Sequence, residues 1–197
     1  MKGNAPRPAP STVLLPPVSL DWSNGAMTGE PVLESSKTLG DLRKLFHDAD
    51  ACARLDPTCV IYRVRSWTPV SPGTEGGLFW GVTTLQPGKV GDEYFMTHGH
   101  FHANRTRAEY YATVSGQGML LRMDSDRRTW GEAMAPGSLH SICGEHAHRV
   151  ANIGNEPFVF WACWGSDAGY DYGAIAARGF GARLVERGGQ PVLISEE

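Results

Sequence analysis

The chain has 197 residues, of which 41% are hydrophobic, and it carries a formal net charge of -3. This length fits one domain with a sizeable core, and the charge argues against the dense basic face of a nucleic-acid-binding protein. The 24 glycines and 13 prolines predict many turns and few long helices, which favours an all-β or β-rich fold.

The N-terminal segment is rich in proline and lacks periodicity over residues 4–17. We expect an extended arm packed on the surface or on a partner subunit, with residues 1–40 forming this arm and residues 41–197 a single domain. The apolar run at residues 13–15 ends at Pro16 and Pro17, so neither a signal peptide nor a membrane span is predicted. A cytoplasmic location with reduced cysteines follows as the expectation.

Residues 38–55 carry apolar side chains at helical spacing and predict one amphipathic helix before Pro57. From Val60 the pattern changes to short strands that are separated by turn sequences. The predicted strands cover residues 60–64, 78–85, 93–98, 108–114, 118–122, 129–133, 138–142, 148–152 and 158–164. A short helix over residues 173–179 and a small β segment complete a pattern that is typical of a sandwich or barrel.

Six of the seven histidines lie between positions 98 and 148, and they form two groups. In the first group His98, His100 and His102 alternate, and residues two apart on a strand point to one face. Glu109 follows a polar segment that can turn and return the carboxylate on a neighbouring strand. Two imidazoles beside a carboxylate suit a borderline divalent ion such as Fe²⁺, Mn²⁺, Ni²⁺ or Zn²⁺.

The second group is His146 and His148, and one imidazole from it would complete a site of three histidines and one glutamate. Spacing alone does not decide whether His98 or His102 partners His100. Nor does it choose between His146 and His148, because the members of each pair share a face. His47 is expected on the helix surface, and His140 is expected to have a structural role.

Two sets of residues resemble the two motifs of the cupins, whose double-stranded β-helix or jelly-roll barrel holds a metal inside. The first set is His100, His102, Glu109 and Gly116, and the second is Pro136, Gly137, His148 and Asn152. Longer blocks are similar to the cupin-type glucose-6-phosphate isomerases; they cover residues 85–91, 95–102, 107–109, 148–158 and 167–173. The resemblance implies a cupin barrel with a few short peripheral helices.

The same resemblance implies one divalent ion per subunit, with Fe²⁺ favoured and Mn²⁺, Ni²⁺ or Zn²⁺ as alternatives. The implied metal ligands are His100, His102, Glu109 and His148. The implied contacts to a sugar phosphate are Thr83, Thr97, Gly99, Tyr111, Trp164 and Tyr172, with Glu109 and Tyr111 as catalytic residues. Trp164 stands where the family usually has a tyrosine, Tyr170 stands where a histidine is common, and Cys143 and Gly144 replace a proline pair.

The activity implied by the resemblance is the interconversion of glucose 6-phosphate and fructose 6-phosphate by a homodimer. Hydrogen would pass between C1 and C2 either as a proton through a cis-enediol or as a hydride. Three histidines and a glutamate also suit an Fe(II)-dependent dioxygenase, and a non-catalytic sugar-phosphate-binding cupin is a third hypothesis. A membrane or nucleic-acid partner is not expected.

Overall fold

The computed structural model describes residues 13–196, so residues 1–12 of the predicted N-terminal arm lie outside the described part of the chain. Its strands are β1 (Val18–Leu20), β2 (Met27–Gly29), β3 (Leu33–Thr38), β4 (Val60–Trp67), β5 (Leu78–Leu85), β6 (Lys89–Val90), β7 (Glu93–Tyr94), β8 (Glu109–Ser115), β9 (Gly118–Met123), β10 (Thr129–Met134), β11 (Leu139–Ile142), β12 (Ala147–Asn152), β13 (Phe158–Gly165), β14 (Ala182–Arg187) and β15 (Gln190–Ser195). Its helices are α1 (Leu39–Leu42), α2 (Ala49–Ala53) and α3 (Gly173–Ala176), with a 3-10 turn at Arg43–Leu45. The β-rich prediction with short helices is confirmed.

Two antiparallel sheets form the body of the domain. The larger sheet has six strands in the order β11-β8-β13-β5-β4-β3, and the smaller has the order β10-β9-β12. The segment after β7 extends the smaller sheet through single bridges from Met96 to Ala151 and from His100 to His148. One buried cluster takes side chains from both sheets, including Leu85 and Leu120. The sheets therefore pack face to face in the cupin arrangement that the resemblance implied.

Strand β13 is buried on both of its faces. Phe158 and Phe160 point into the cluster between the sheets, whereas Val159 and Trp161 alternate with them and belong to a second cluster on the outer face. Met27 of the β1–β2 hairpin lies in that outer cluster, so the hairpin covers the outside of the larger sheet. The inner face of the larger sheet lines the space between the two sheets, and it carries buried polar residues such as Thr83 and Glu109.

Strand β3 lies at the edge of the larger sheet, where it pairs antiparallel with β4. Its sequence, LESSKT, has no apolar alternation that would predict a strand. These residues fall within the predicted N-terminal arm, and the division of the chain at residue 40 stays a prediction.

The single helix predicted over residues 38–55 is wrong, because the segment contains a second N-cap. Thr38 and Asp41 form a capping box that begins α1, in which the Asp41 carboxylate accepts from the Thr38 N–H at 2.9 Å. Phe46 then has an extended backbone, and Asp48 Oδ1 accepts from Ala51 N–H at 2.7 Å to begin α2. The apolar spacing that suggested one helix therefore belongs to two short helices with a break between them.

The strand predicted over residues 93–98 is too long, since only its first two residues form β7. The following residues join the smaller sheet through isolated bridges, and the backbone leaves the extended conformation at Gly99, where φ is 76°. His47 is exposed in the bend before α2 rather than on a helix. Within residues 13–196, no helix is both long enough and apolar enough to cross a bilayer.

Replacing Phe158 with alanine is expected to destabilise the fold by about 3–5 kcal/mol, because the change opens a cavity in the centre of the core. Phe158 is 0% exposed, and its ring packs so closely on Gly118 that a Cβ added there would lie 2.6 Å from it. Urea unfolding of the two proteins measures the difference. Leu78→Ala is the matched control, because Leu78 is 60% exposed and its truncation should change stability by less than about 0.5 kcal/mol.

Candidate metal centre

Four side chains converge inside the barrel, and each offers one ligand atom within 4.8 Å of the others. They are His100, His102, Glu109 and His148. Ligand atoms that share one cation at about 2.1 Å lie about 3–4 Å apart, so this spacing suits a single metal ion. His102 and His148 are each 1% exposed, and Glu109 is also buried. The centre is therefore shielded from bulk water on the side of the core.

Backbone pairing brings two of the imidazoles together. His100 and His148 exchange N–H···O bonds of 3.2 and 3.0 Å between the segment after β7 and strand β12. Residues directly opposite in an antiparallel pair share a face, and the two ring centroids lie 4.6 Å apart. This contact explains how two histidines 48 positions apart in sequence reach the same point.

The other two ligands are placed by the turn between them. His102 Nδ1 lies 2.6 Å from the Arg107 carbonyl, which accepts its proton and leaves the Nε2 lone pair directed at the centre. Asp167 accepts three hydrogen bonds from the Arg107 guanidinium and so fixes the end of the turn. Glu109 then opens β8 with its side chain on the inner face, as the polar residues between the two ligands suggested.

The residues fit a bound cation, as their unsatisfied lone pairs show. His100 Nε2, His148 Nε2 and Glu109 Oε1 are buried without a hydrogen-bond partner in the described chain. Glu109 Oε1 lies 2.6 Å from His148 Nε2, but at an angle outside hydrogen-bond geometry. Buried polar atoms without partners are costly, and a divalent ion at the common point would satisfy all three.

The surroundings of the centre favour a neutral His100 and an ionised Glu109 carboxylate. Burial lowers the pKa of His100 to about 3, and the charge of His148 acts in the same direction. Burial alone would raise the pKa of Glu109, but the charge of His148 and the nearby His102 ring hold that pKa below its ordinary value. Burial would lower the pKa of His102, but Glu109 raises it above its ordinary value. The negative carboxylate therefore attracts positive charge to this point.

A cavity of about 330 Å³ opens onto the metal centre, and we name it the central cavity. All the residues predicted to contact the substrate line it: Thr83, Thr97, Gly99, Tyr111, Trp164 and Tyr172. His100, Glu109 and His148 also face the central cavity, whereas His102 lies behind them. The structure therefore brings the predicted metal ligands and the predicted substrate contacts into one site.

The polar groups of the central cavity are held by neighbouring strands. Thr97 Oγ1 accepts from the Val150 N–H at 3.0 Å, which leaves the Thr97 hydroxyl proton free to donate. A Cβ at position 99 would lie 2.8 Å from Arg149 Nε, so the close approach of the backbone there requires glycine. Burial, and then the nearby Glu109 carboxylate, raise the pKa of Tyr111 well above its ordinary value and keep its hydroxyl protonated.

The histidines outside the ligand set have other contacts. His98 stacks on Tyr172 with the ring centroids 4.5 Å apart, and both residues line the central cavity. His146 Nδ1 lies 3.1 Å from Cys143 Sγ, and the His146 ring meets the edge of Trp130. His140 lies 3.0 Å from both the Glu132 carboxylate and the Ser138 hydroxyl. Spacing left His98 and His146 open as ligands, and their positions now place them outside the quartet.

Several further residues of the central cavity were not predicted as site residues, and polar ones among them include Ser35, Lys37, Tyr62 and Tyr170. Tyr62 lies on a strand that the sequence predicted, but its orientation depends on the register between β4 and β5. Ser35 and Lys37 lie on β3, for which the sequence carried no strand signal. Tyr170 differs from the histidine common in the resembling family, and its ring stacks on Tyr172.

Comparisons with known proteins agree with one another on the family. The family model described as "Glucose-6-phosphate isomerase (GPI)" matches residues 36–195. The glucose-6-phosphate isomerase of Pyrococcus horikoshii is 39% identical over 182 residues, which cover 90% of this chain and 93% of the relative. A putative glucose-6-phosphate isomerase 2 of Rhizobium meliloti is 38% identical over 152 residues, covering 76% of this chain and 74% of the relative.

Among solved structures, oxalate decarboxylase from Bacillus subtilis superposes with a TM-score of 0.44 and 23% identity, covering 55% of this chain and 26% of that protein.

Proposed function

Because the chain belongs to the glucose-6-phosphate isomerase family, we propose that the centre formed by His100, His102, Glu109 and His148 is its active site. The protein is a metal-dependent aldose–ketose isomerase of the cupin type that interconverts glucose 6-phosphate and fructose 6-phosphate. The observation that carries the proposal for the site is the convergence of four ligand atoms within 4.8 Å beside the central cavity.

We propose Fe²⁺ as the resident ion, with Mn²⁺, Ni²⁺ and Zn²⁺ able to occupy the same ligands. Three imidazole nitrogens and one carboxylate oxygen make a donor set of borderline character, which suits these ions better than Mg²⁺ or Ca²⁺. Once bound, the ion supplies Lewis-acid polarisation of a substrate carbonyl oxygen.

Glu109 is proposed as the group that moves the proton. It is the one carboxylate among the described residues that line the central cavity, and its lowered pKa keeps it ionised. From the aldose, its carboxylate would accept the proton from C2 and return it to C1, while the O2 hydroxyl proton passes to O1. The protonated Tyr111 hydroxyl would donate to the substrate oxygen on which negative charge develops.

The phosphate end of the substrate is proposed to lie against hydroxyl and N–H donors. Thr83 and Thr97 supply hydroxyls, and the Gly99 backbone can approach the phosphate closely because it carries no side chain. Tyr172 lies at the partly exposed side of the central cavity. Trp164 can donate one hydrogen bond through its indole N–H but accepts none, unlike the tyrosine usual at this position in the family.

Removing the metal is expected to stop turnover, and restoring it to return turnover. Protein stripped with a chelator should convert fructose 6-phosphate at a negligible rate, because the ligands remain but the polarising charge is gone. Adding Fe²⁺, Mn²⁺, Ni²⁺ or Zn²⁺ in turn should recover activity up to one ion per subunit. A coupled assay that detects glucose 6-phosphate, with mannose 6-phosphate measured beside it, records the result.

The same assay without oxygen separates the isomerase from an Fe(II)-dependent dioxygenase. Full activity without oxygen, and no oxygen uptake by the iron-loaded protein, are expected. Tight binding of the sugar phosphate with no turnover under any of the four ions would instead indicate a binding protein and contradict the proposed function.

We also propose a cytoplasmic homodimer. The four cysteines are all unpaired, which supports a reducing compartment. Tyr110 and Leu139 lie on the same outer face of the β8–β11 pair and are 52% and 68% exposed, so this face offers apolar surface for a second subunit. Sedimentation analysis at several protein concentrations tests the oligomeric state.

A further inference from the structure

The central cavity carries very little positive charge for a site that takes a phosphate ester. Among the described residues that line it, Lys37 is the one lysine or arginine. A phosphate monoester has a charge of about -1.5 to -2 at neutral pH. Hydroxyl and N–H donors can hold its oxygens, but they leave that charge unbalanced. A cation beside the phosphate would add a charge-assisted hydrogen bond, which is about twice as strong as a neutral one.

Strand register places Lys37 on the wall of the central cavity. Lys37 lies opposite Tyr62, and Ser35 lies opposite Val64, in the antiparallel pairing of β3 with β4. Opposite residues in such a pair share one face of the sheet, and all four of these residues line the central cavity. The edge strand therefore extends the wall beyond β4 and adds one hydroxyl and one ammonium group to it.

The ammonium group of Lys37 is free to bind a ligand. Glu34 lies on the opposite face of β3, where Arg65 and Arg63 approach its carboxylate to 3.5 and 3.8 Å. The Asp41 carboxylate accepts hydrogen bonds of 2.9 and 3.1 Å from the N–H and hydroxyl of Thr38, which occupy it in the helix cap. Within residues 13–196, no carboxylate oxygen forms an ion pair with Lys37.

Arg149 is the other cation near the phosphate contacts, but its guanidinium binds other groups of the protein and does not face the central cavity. It is 5% exposed, and its guanidinium packs on the Phe180 ring with a separation of 4.1 Å. It donates to the His98 carbonyl at 3.2 Å and contacts Met96 Sδ at 2.8 Å. It lines a neighbouring cavity rather than the central one. Arg149 therefore supports the segment that carries Thr97 and Gly99 from behind.

We propose that Lys37 binds the phosphate group of the substrate and selects phosphorylated sugars over neutral ones. This inference rests on the proposed function of the central cavity. It assigns a binding role to β3, the edge strand of the larger sheet, which forms the border of the central cavity beside β4. The contact acts on substrate binding rather than on hydrogen transfer, because the reacting carbons lie at the metal centre.

Lys37→Ala should weaken fructose 6-phosphate binding about tenfold and leave the weak affinity for fructose unchanged. Lys37→Arg should bind within about threefold of the unaltered protein, since the cation is retained. Isothermal titration of metal-loaded protein with fructose 6-phosphate, inorganic phosphate and fructose measures these effects. In the coupled assay, KM should rise about tenfold while kcat stays within about twofold, because only binding is affected.

Lys44→Ala is the matched control, since it removes the same charge from an exposed position that faces the neighbouring cavity. Its affinity for fructose 6-phosphate should be unchanged. Equal binding by Lys37→Ala and the unaltered protein, or an equal loss in both lysine variants, would overturn the assignment. If the unaltered protein binds fructose 6-phosphate without converting it, the isomerase proposal fails while the assignment of Lys37 is still decided by binding. No binding of any phosphorylated sugar would overturn both.

Discussion

His148→Ala should lose the metal and lower isomerase activity by a factor on the order of 10³ or more. The side chain supplies one of four ligand atoms and comes from a strand in the smaller sheet, so no other described histidine can replace it. Its removal also leaves the buried Glu109 carboxylate without the neighbour that most lowers its pKa. A loss of about 4 kcal/mol in transition-state stabilisation corresponds to this factor.

Two measurements on the same samples test this prediction. Elemental analysis after equilibration with Fe²⁺ or Zn²⁺ should give about one ion per subunit for the unaltered protein and much less for His148→Ala. The coupled assay should fall in parallel. His146→Ala is the control, because His146 lies two positions earlier, contacts Cys143 and Trp130, and is not among the four ligands. A His148→Ala protein that keeps its ion and its activity would contradict the ligand assignment.

The choice between His146 and His148 illustrates what spacing could and could not predict. Alternation predicts which residues of a strand share a face, but His146 lies in the bend before β12 and only His148 is part of the strand. Alternation carries no information about which of them lies opposite His100, since that depends on the register between two distant segments. The bridge between His100 and His148 settles the geometry, and only the family resemblance indicated it beforehand.

The strands of the barrel were predictable because buried β-structure leaves a strong pattern in sequence. Residues 158–162, for example, alternate between two apolar clusters. The apolar spacing from Thr38 to Ala53 wrongly predicts one continuous helix, because it does not reveal the Asp48 cap that begins a second helix. Strand β3 was missed because its stability comes from edge pairing, while its side chains are polar and mostly exposed.

This omission has a functional consequence. In a polar edge strand that borders a cavity, the role of each residue depends on which way its side chain points. Lys37 and Ser35 resemble ordinary surface residues until pairing with Tyr62 and Val64 fixes their direction. Sequence patterns therefore locate the metal ligands, whose residue types are distinctive, more readily than they locate the groups that bind the phosphate.

Glu109→Gln should reduce kcat by a factor on the order of 10³ even at saturating metal, because glutamine keeps the shape but cannot accept the proton. Metal affinity should also fall, since a neutral amide oxygen replaces a carboxylate. Turnover must therefore be measured over a range of Fe²⁺ or Mn²⁺ until it no longer rises. Any loss that remains at saturation then reports the chemical step rather than metal binding.

Glu93→Gln is the matched control, because Glu93 is also a buried carboxylate, accepts from the His47 N–H at 3.1 Å and lines only the neighbouring cavity. Its kcat should stay within about twofold. Isomerisation of glucose 6-phosphate in D₂O separates the two routes: deuterium at C1 of the fructose 6-phosphate formed by the unaltered protein is expected, because the Glu109 carboxyl can exchange its proton with solvent between the two transfers. If Glu109→Gln at saturating metal retained activity within tenfold, Glu109 would act only as a ligand. Absence of deuterium in the product together with that activity would favour a hydride shift between C1 and C2.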